Sequence, residues 1–337
     1  MNAFNATDNI DQSNGSKPEL RVAALGGGHG LPVVLRALKP YTEHITANVS
    51  MADDGGSSGR LRREMGVLPP GDLRNNIAAL ADDEALMTQL FQYRFSDDTL
   101  QGHSLGNLLI TALASITGSM DRALVAAGHV LAIHGQVLPA TLQEVTLAAE
   151  MRNPDGLRRQ IIGESNIPLA SGVIERVYLR PGNVRAFPPT IQAILSADII
   201  VFGPGSLYTS ILPTLLIGDI AEAIRVASAP SVYVCNIAMQ EGETDGFSVA
   251  DHVAVIEDHL GRNFIDVILC NENYPPVDGS SRTKYVPFSD SDRARLSHYA
   301  LVTSDLTDRT HPWRHDPHKL ATALLNVAES AVRVFKI

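Results

Sequence analysis

The sequence predicts an α/β fold built on a mostly parallel sheet, and three observations carry that prediction. Short aliphatic runs recur ("LRVAAL", "ITANVSM", "ADIIVF", "SVYVC" and "FIDVILC"), each stopping at a small or polar residue. They are largely apolar rather than cleanly alternating, which is how strands buried on both faces read. Segments with helical spacing, such as "IGDIAEAIRVAS" and "SVADHVAVIEDHL", lie between several of them, and that alternation is the pattern of parallel sheets. Finally, 45% of the 337 residues are hydrophobic but only 5% are aromatic, so the core is mainly aliphatic, as suits helices packed on a sheet.

Taken in order, residues 1–19 are Asn-rich and poor in apolar side chains, and they read as a disordered tail. Residues 20–337 read as one domain. "LRVAAL" is its first strand, the glycines from Gly26 to Gly30 its first turn, and "GLPVVLRALK" its first helix. Pro32 fits the first helical turn, where a missing amide proton costs nothing. After the second strand, residues 72–131 carry Ala and Leu at helical spacing and read as a helical insertion. Residues 133–179 alternate, as in "LQEVTLAAEM" and "VIERVYL", and predict an antiparallel patch. Residues 274–293 are polar with several Pro and Ser and read as a long loop. An amphipathic helix closes the chain, with Asp316 placed to cap it ahead of Pro317.

Bulk properties exclude some functions. The net charge of −10 argues against a long polyanion as partner, because nucleic-acid binding needs a basic surface. A small anion held by a local arginine cluster remains compatible with it. Cys235 and Cys270 each end an aliphatic run and read as buried, reduced thiols, with no C-x-x-C spacing for a metal. The N-terminal stretch has no apolar core for a secretion signal, and no run reaches the roughly 18 apolar residues of a membrane span. The expected location is the cytoplasm, and the chain is compatible with an oligomer.

Candidate functional residues gather at strand ends. Gly27, Gly28, His29 and Gly30 form a Gly-rich strand–helix turn. Such a turn can bring amides and a helix N-terminus to a phosphate, and equally it can be a tight connection with no ligand. Asp53 and Asp54 end the second strand, and Gly56, Ser57 and Ser58 follow in a Gly/Ser loop that leads to Arg60, Arg62 and Arg63. A solvated loop with internal salt bridges would explain the charges, but not several glycine-containing motifs on one sheet edge. Open α/β sheets bind ligands at that edge. Gly205, Ser206 and Tyr208 lie in "GPGSLYTS"; Asn236, Gln240 and Thr244 follow Cys235; His103 and Asn107 precede a helix in "GHSLGN". A P-loop, a G-x-S-x-G elbow and an H-E-x-x-H zinc pair are all absent from the sequence.

Seven segments taken together carry a resemblance: "GGGHGL", "ADDGGSSGRLR", "PPGDLRN", "LFQYRF", "GHSLGNLL", "GPGSLYTSILP" and "CNIAMQEGET". The chain resembles the gluconeogenesis-factor (YvcK-like) family, relatives of 2-phospho-L-lactate transferase (CofD), from about residue 20 to its end. The resemblance implies a Rossmann-like three-layer core and a site for a nucleotide diphosphate. It implies UDP-sugars such as UDP-N-acetylglucosamine as ligands, and links to gluconeogenic growth, cell shape and peptidoglycan synthesis, with cell-envelope synthesis proteins as partners. It also brings Asp72, Asn75 and the pre-helix Arg314 into the site. The transferase branch moves a phospholactyl group from a guanosine diphosphate carrier to a deazaflavin with Mg²⁺, which is the competing function. On this reading the Gly/Ser loop is a diphosphate cradle, and Asp53 and Asp54 hold either Mg²⁺ or sugar hydroxyls. The sequence departs from the family pattern at His29 (commonly Thr), at Met239 and Glu241, and at Thr214, where Asn is common.

Overall fold

The computed structural model describes residues 19–82, 84–96, 100–276 and 283–335. The expected tail, apart from Glu19, and residues 277–282 of the expected loop lie outside them. The chain opens with strand β1 (Val22–Gly26), helix α1 (Leu31–Leu38) and strand β2 (Ile45–Val49). Five helices follow: α2 (Gly56–Met65), α3 (Gly71–Leu80), α4 (Glu84–Gln92), α5 (Leu105–Thr117) and α6 (Met120–Val130). Strand β3 (Gln136–Pro139) precedes a small antiparallel sheet of β4 (Thr146–Arg152), β5 (Arg158–Ile162) and β6 (Val173–Arg180). Next come α7 (Pro188–Leu195), β7 (Ile199–Phe202), a wide turn at Leu207–Ile211, α8 (Leu212–Leu215), α9 (Gly218–Val226) and β8 (Ser231–Val234). The chain ends with α10 (Val249–Leu260), β9 (Val267–Asn271), α11 (Asp290–Arg295), β10 (Ala300–Ser304) and α12 (Pro317–Phe335).

The main sheet has the order β10-β9-β8-β7-β1-β2-β3, and all its pairings are parallel. Helices cover it on both faces, with α1 packed on α3 and α12, and α7 packed on α9. The α/β expectation therefore holds. β1, β7 and β8 are buried along their whole length, as their unbroken apolar runs require. Phe202 and Tyr233 stack across β7 and β8 with ring centroids 5.8 Å apart. Both cysteines are free and buried. Asp316 Oδ1 accepts from the amides of His318 at 2.8 Å and Lys319 at 3.0 Å, which caps α12 as its position promised.

Four local readings need correction. The Gly/Ser stretch is not a loop: it opens α2, because Gly59 packs so closely on the Asp54 carbonyl that an added Cβ would lie 1.9 Å from it. Packing there overrides poor helix propensity. The helical region between β2 and β3 thus starts before residue 72. Gln136–Pro139 pairs in parallel with β2, so the antiparallel patch begins only at β4. β10 and α7 went unread from sequence; β10 is an edge strand with no fully buried position, so its apolar signal is weak. The expected loop at 274–293 runs into α11, whose capping box pairs Ser289 with Asp292.

Strands run outward in both directions from β1, to β2 and β3 on one side and to β7 onward on the other. The switch point between β1 and β7 is where such sheets hold ligands. There the turn after β1 presses against the turn after β7: a Cβ on Gly30 would lie 2.0 Å from the Pro204 carbonyl oxygen and 2.6 Å from Gly205 Cα. Backbone against backbone cannot yield as a side chain can. Gly30→Ala should therefore cost at least the roughly 1–3 kcal/mol of ordinary overpacking. Urea denaturation checks this, and an unchanged midpoint would show that the two turns separate freely.

Candidate functional site

Beyond the switch point lies a cleft of about 840 Å³, and behind it a recess of about 290 Å³. Gly28, His29, Arg74, Asn75 and Glu164 line both, so the two are continuous. Gly28 has φ +61°, a left-handed turn that glycine adopts without strain. Its amide donates to Asp72 Oδ2 at 2.8 Å, which fastens the first glycine turn to the start of α3. The second turn is fastened by Asn236, whose side chain accepts from Gly205 N at 2.8 Å and donates to Gly205 O at 2.7 Å. The hydroxyls of Ser206 and Thr209 both donate to Glu243, the latter at 3.2 Å.

Cationic groups converge on the first turn. Burial lowers the pKa of His29, and Arg74, Arg314 and Arg36 lower it further. Arg74 is itself buried; it donates to Ser104 Oγ at 2.6 Å and to Asn75 Oδ1 at 2.9 Å, and its Nε has no partner. Arg314 and Trp313 enter from the segment before α12 and line the cleft. The Arg314 side chain makes no hydrogen bond or ion pair among the described residues, whereas Asp316 is committed to the α12 cap.

Carboxylates gather on the recess side. Burial pushes the Asp72 carboxyl up to about 7 and Glu164 up to about 8, with Asp53 the next contributor to both. Burial also raises Asp53, against hydrogen bonds from the Ser58 hydroxyl and from Gly55 N at 2.9 Å. Oxygen-rich groups held this way suit a hard cation, which would favour their ionised forms. Among the described residues, no arrangement of three or more His, Cys, Asp or Glu side chains forms a metal site. Asp53, Asp72 and Glu164 line the recess. Asp54 points elsewhere, accepting from Ser165 N at 2.9 Å, so it does not join Asp53 as the second oxygen donor there.

The remaining expected residues divide in two. Gly56, Ser57, Ser58 and Asn107 line the recess, and Gly30, Gly205, Ser206 and Asn236 line the cleft. Gly27 sits behind the turn, against Asp72, and His103 lies behind Ser57. Arg60 donates to the Gln101 carbonyl and stands 4.0 Å from Glu64. Arg62 binds Glu144 at 3.1 Å and Thr146 at 3.3 Å and lines a separate hollow. Tyr208 is buried against His259, and Thr244 is buried with its hydroxyl accepting from Gln240 N at 3.0 Å. These last four support the walls and do not face the cleft. Sequence reasoning missed Arg36, Arg74, Glu164, Glu243 and Trp313. Arg74 had a signal, since helical spacing from Asp72 and Asn75 sets it on the same first turn of α3.

The sequence profile of the family described as 2-phospho-L-lactate transferase CofD matches residues 22–330. The chain belongs to the CofD family. Within that family it is similar to a relative from Nostoc sp., 49% identical over 313 residues, covering 90% of this chain and 68% of the relative. Gluconeogenesis factors from Listeria monocytogenes and Bacillus subtilis are 46% and 44% identical. Those alignments cover 90% and 93% of this chain and 94% and 99% of the relatives. A crystal structure of a UPF0052 family member from Bacillus halodurans superposes with a TM-score of 0.83 at 41% identity, covering 91% of this chain and 99% of that one. The resemblance drawn from the seven segments is thereby upheld. No single described helix is long and apolar enough to cross a membrane.

One buried group in this CofD-family cleft makes stability depend on pH. Burial holds His315 at about 4, far below the ordinary histidine value, and its Nε2 has no partner. The folded state thus binds fewer protons there than the unfolded chain, so stability rises with pH through this interval. The histidine contribution should be intact above about pH 6.5 and lost progressively towards pH 4. Thermal melts between pH 4 and 7 should fall less steeply for His315→Gln than for the wild type; parallel curves would contradict this.

Proposed function

We propose that the cleft binds a nucleoside diphosphate sugar of the UDP-N-acetylglucosamine type. On this reading the protein is a cytoplasmic regulatory factor that serves growth on gluconeogenic carbon sources, cell shape and peptidoglycan synthesis. The observation that carries the reading is the convergence of Arg36, Arg74 and Arg314 on His29, at the glycine turns of the sheet's switch point. The names of the Listeria and Bacillus relatives support the metabolic role. The glycine turn and the guanidinium groups that line the cleft match a diphosphate's oxygens, since Arg presents paired donors in a fixed fork. Partners acting in envelope synthesis would read the ligand state.

A second reading, a transferase using a nucleotide-diphosphate donor, is favoured by the carboxylates of the recess. Asp53 and Asp72, rather than Asp53 and Asp54, would hold a Mg²⁺ completed by phosphate oxygens and water. The ion would offset charge on the diphosphate. This reading requires product formed from such a donor in a Mg²⁺-dependent way that Asp72→Asn abolishes.

Arg314 separates the reading from its bland alternative. A charge-assisted hydrogen bond is typically worth about 1.5–3 kcal/mol, and about 1.4 kcal/mol is one decade in affinity. Calorimetry should therefore give micromolar or tighter binding of UDP-N-acetylglucosamine to the wild type, weakened about tenfold or more in Arg314→Ala. The variant should fold normally, because a loop arginine has little packing to lose. No heat from the wild type would refute the ligand; equal affinity in the variant would remove Arg314 from the site.

A further inference from the structure

The recess contains a serine–histidine pair for which ligand binding has no need. Ser57 Oγ lies 3.0 Å from His103 Nδ1, and Asn107 Nδ2 donates to the same oxygen at 3.0 Å. All three residues are buried. A hydroxyl has one proton and two lone pairs. Asn107 occupies one lone pair, and in the His103 tautomer that carries its proton on Nε2, Nδ1 accepts the Ser57 proton. Burial and the nearby Arg60 both lower the His103 pKa, which favours the neutral ring that a base requires. One lone pair of Ser57 Oγ is left over.

The neighbouring serine is wired differently. Ser58 bonds to the Asp53 carboxylate, which anchors it without a base beside it. Ser57 and Asn107 both line the recess, with Asp72 and Arg74 across from them. The Asn107 Oδ1 is buried and has no partner, so this corner holds an acceptor that the protein itself leaves unused. Ser57 also sits in the first turn of the ten-residue α2, where helix amides favour negative charge developing on an oxygen. A nucleophile in hydrogen-bond reach of a base is the first requirement of covalent catalysis.

We propose that Ser57 is a nucleophile primed by His103, which attacks a phosphorus of a diphosphate ester bound in the cleft. The inference rests on the nucleotide-sugar reading for its substrate. As Ser57 Oγ bonds to the β-phosphorus, its proton passes to His103 Nδ1. The bond from that phosphorus to the bridging oxygen breaks, and the oxygen leaves on the nucleoside monophosphate. The product is a phosphodiester that links Ser57 to the sugar. No oxidant or reductant is involved.

The test uses the full-length chain and two electrophiles, read by intact mass and by peptide sequencing. Diisopropyl fluorophosphate needs no nucleotide site: Ser57 Oγ would displace fluoride from phosphorus and His103 would take the proton. UDP-N-acetylglucosamine with Mg²⁺ would leave the sugar phosphate on Ser57 and release UMP. Expected is modification of wild-type Ser57 by both reagents, none in Ser57→Ala, and a rate at least tenfold lower in His103→Gln. The fluorophosphate rate should also fall in acid, as the imidazole takes a proton. Labelling by fluorophosphate without calorimetric binding of the UDP-sugar would uphold the nucleophile and refute the nucleotide reading. Binding of the UDP-sugar with no modification by either reagent would overturn the proposal and leave the binding reading standing. Equal labelling rates in wild type and His103→Gln would overturn it too.

Discussion

The site depends on one close approach: the turn after β1 and the turn after β7 meet backbone to backbone at Gly30 and Pro204. Parallel pairing of β1 with β7 puts both turns at the same edge, and the reversal of strand order leaves a gap above them. Only a residue without Cβ allows the turns to touch. Their contact fixes where Gly28 and Gly205 sit, and each turn is then tied to a neighbour: Asp72 holds Gly28, and Asn236 holds Gly205. The cleft walls inherit their spacing from that contact. Arg74 belongs to the helix anchored by Asp72, and Glu243 to the segment anchored through Asn236.

Charge is sorted within the cleft. Guanidinium groups converge around His29, with Arg74 reaching into the recess that Asp53, Asp72 and Glu164 line, where burial raises the carboxyl pKa values. Such an arrangement is costly when empty, because buried carboxylates must keep their protons or remain charged without solvent. An anion at the mouth and a cation or a hydrogen-bond donor in the recess would both lower that cost. The serines belong to the inner half. Ser58 commits its proton to Asp53, and Ser57 is held between Asn107 and His103.

Much of this was legible in the sequence because it is local. Unbroken aliphatic runs gave the buried strands, and a glycine, Asn or Asp at each run's end gave the edge where the turns gather. Asp316 ahead of Pro317 gave the start of α12. What sequence could not give was direction. Arg60, Arg62 and Arg74 all stand in glycine-rich, charged stretches, yet only Arg74 enters the cleft. The reason is that α2 was hidden by its Gly and Ser residues, so the helical phase that turns Arg62 towards Glu144 could not be read. The same blindness put Asp54 beside Asp53, when the α2 entry sends it to Ser165. Glu164 comes from the connection between β5 and β6 of the separate antiparallel sheet, and nothing in its own neighbourhood marks it as part of a site.

The most direct test of the account is a crystal structure of the protein with UDP-N-acetylglucosamine and Mg²⁺. The diphosphate is expected at the sheet's switch point, its oxygens within hydrogen-bond distance of the His29 or Gly30 amide and of Arg314. Any metal is expected between those oxygens and the Asp53–Asp72 pair. A diphosphate ordered elsewhere on the protein, with the glycine turns and Arg314 untouched, would contradict the account.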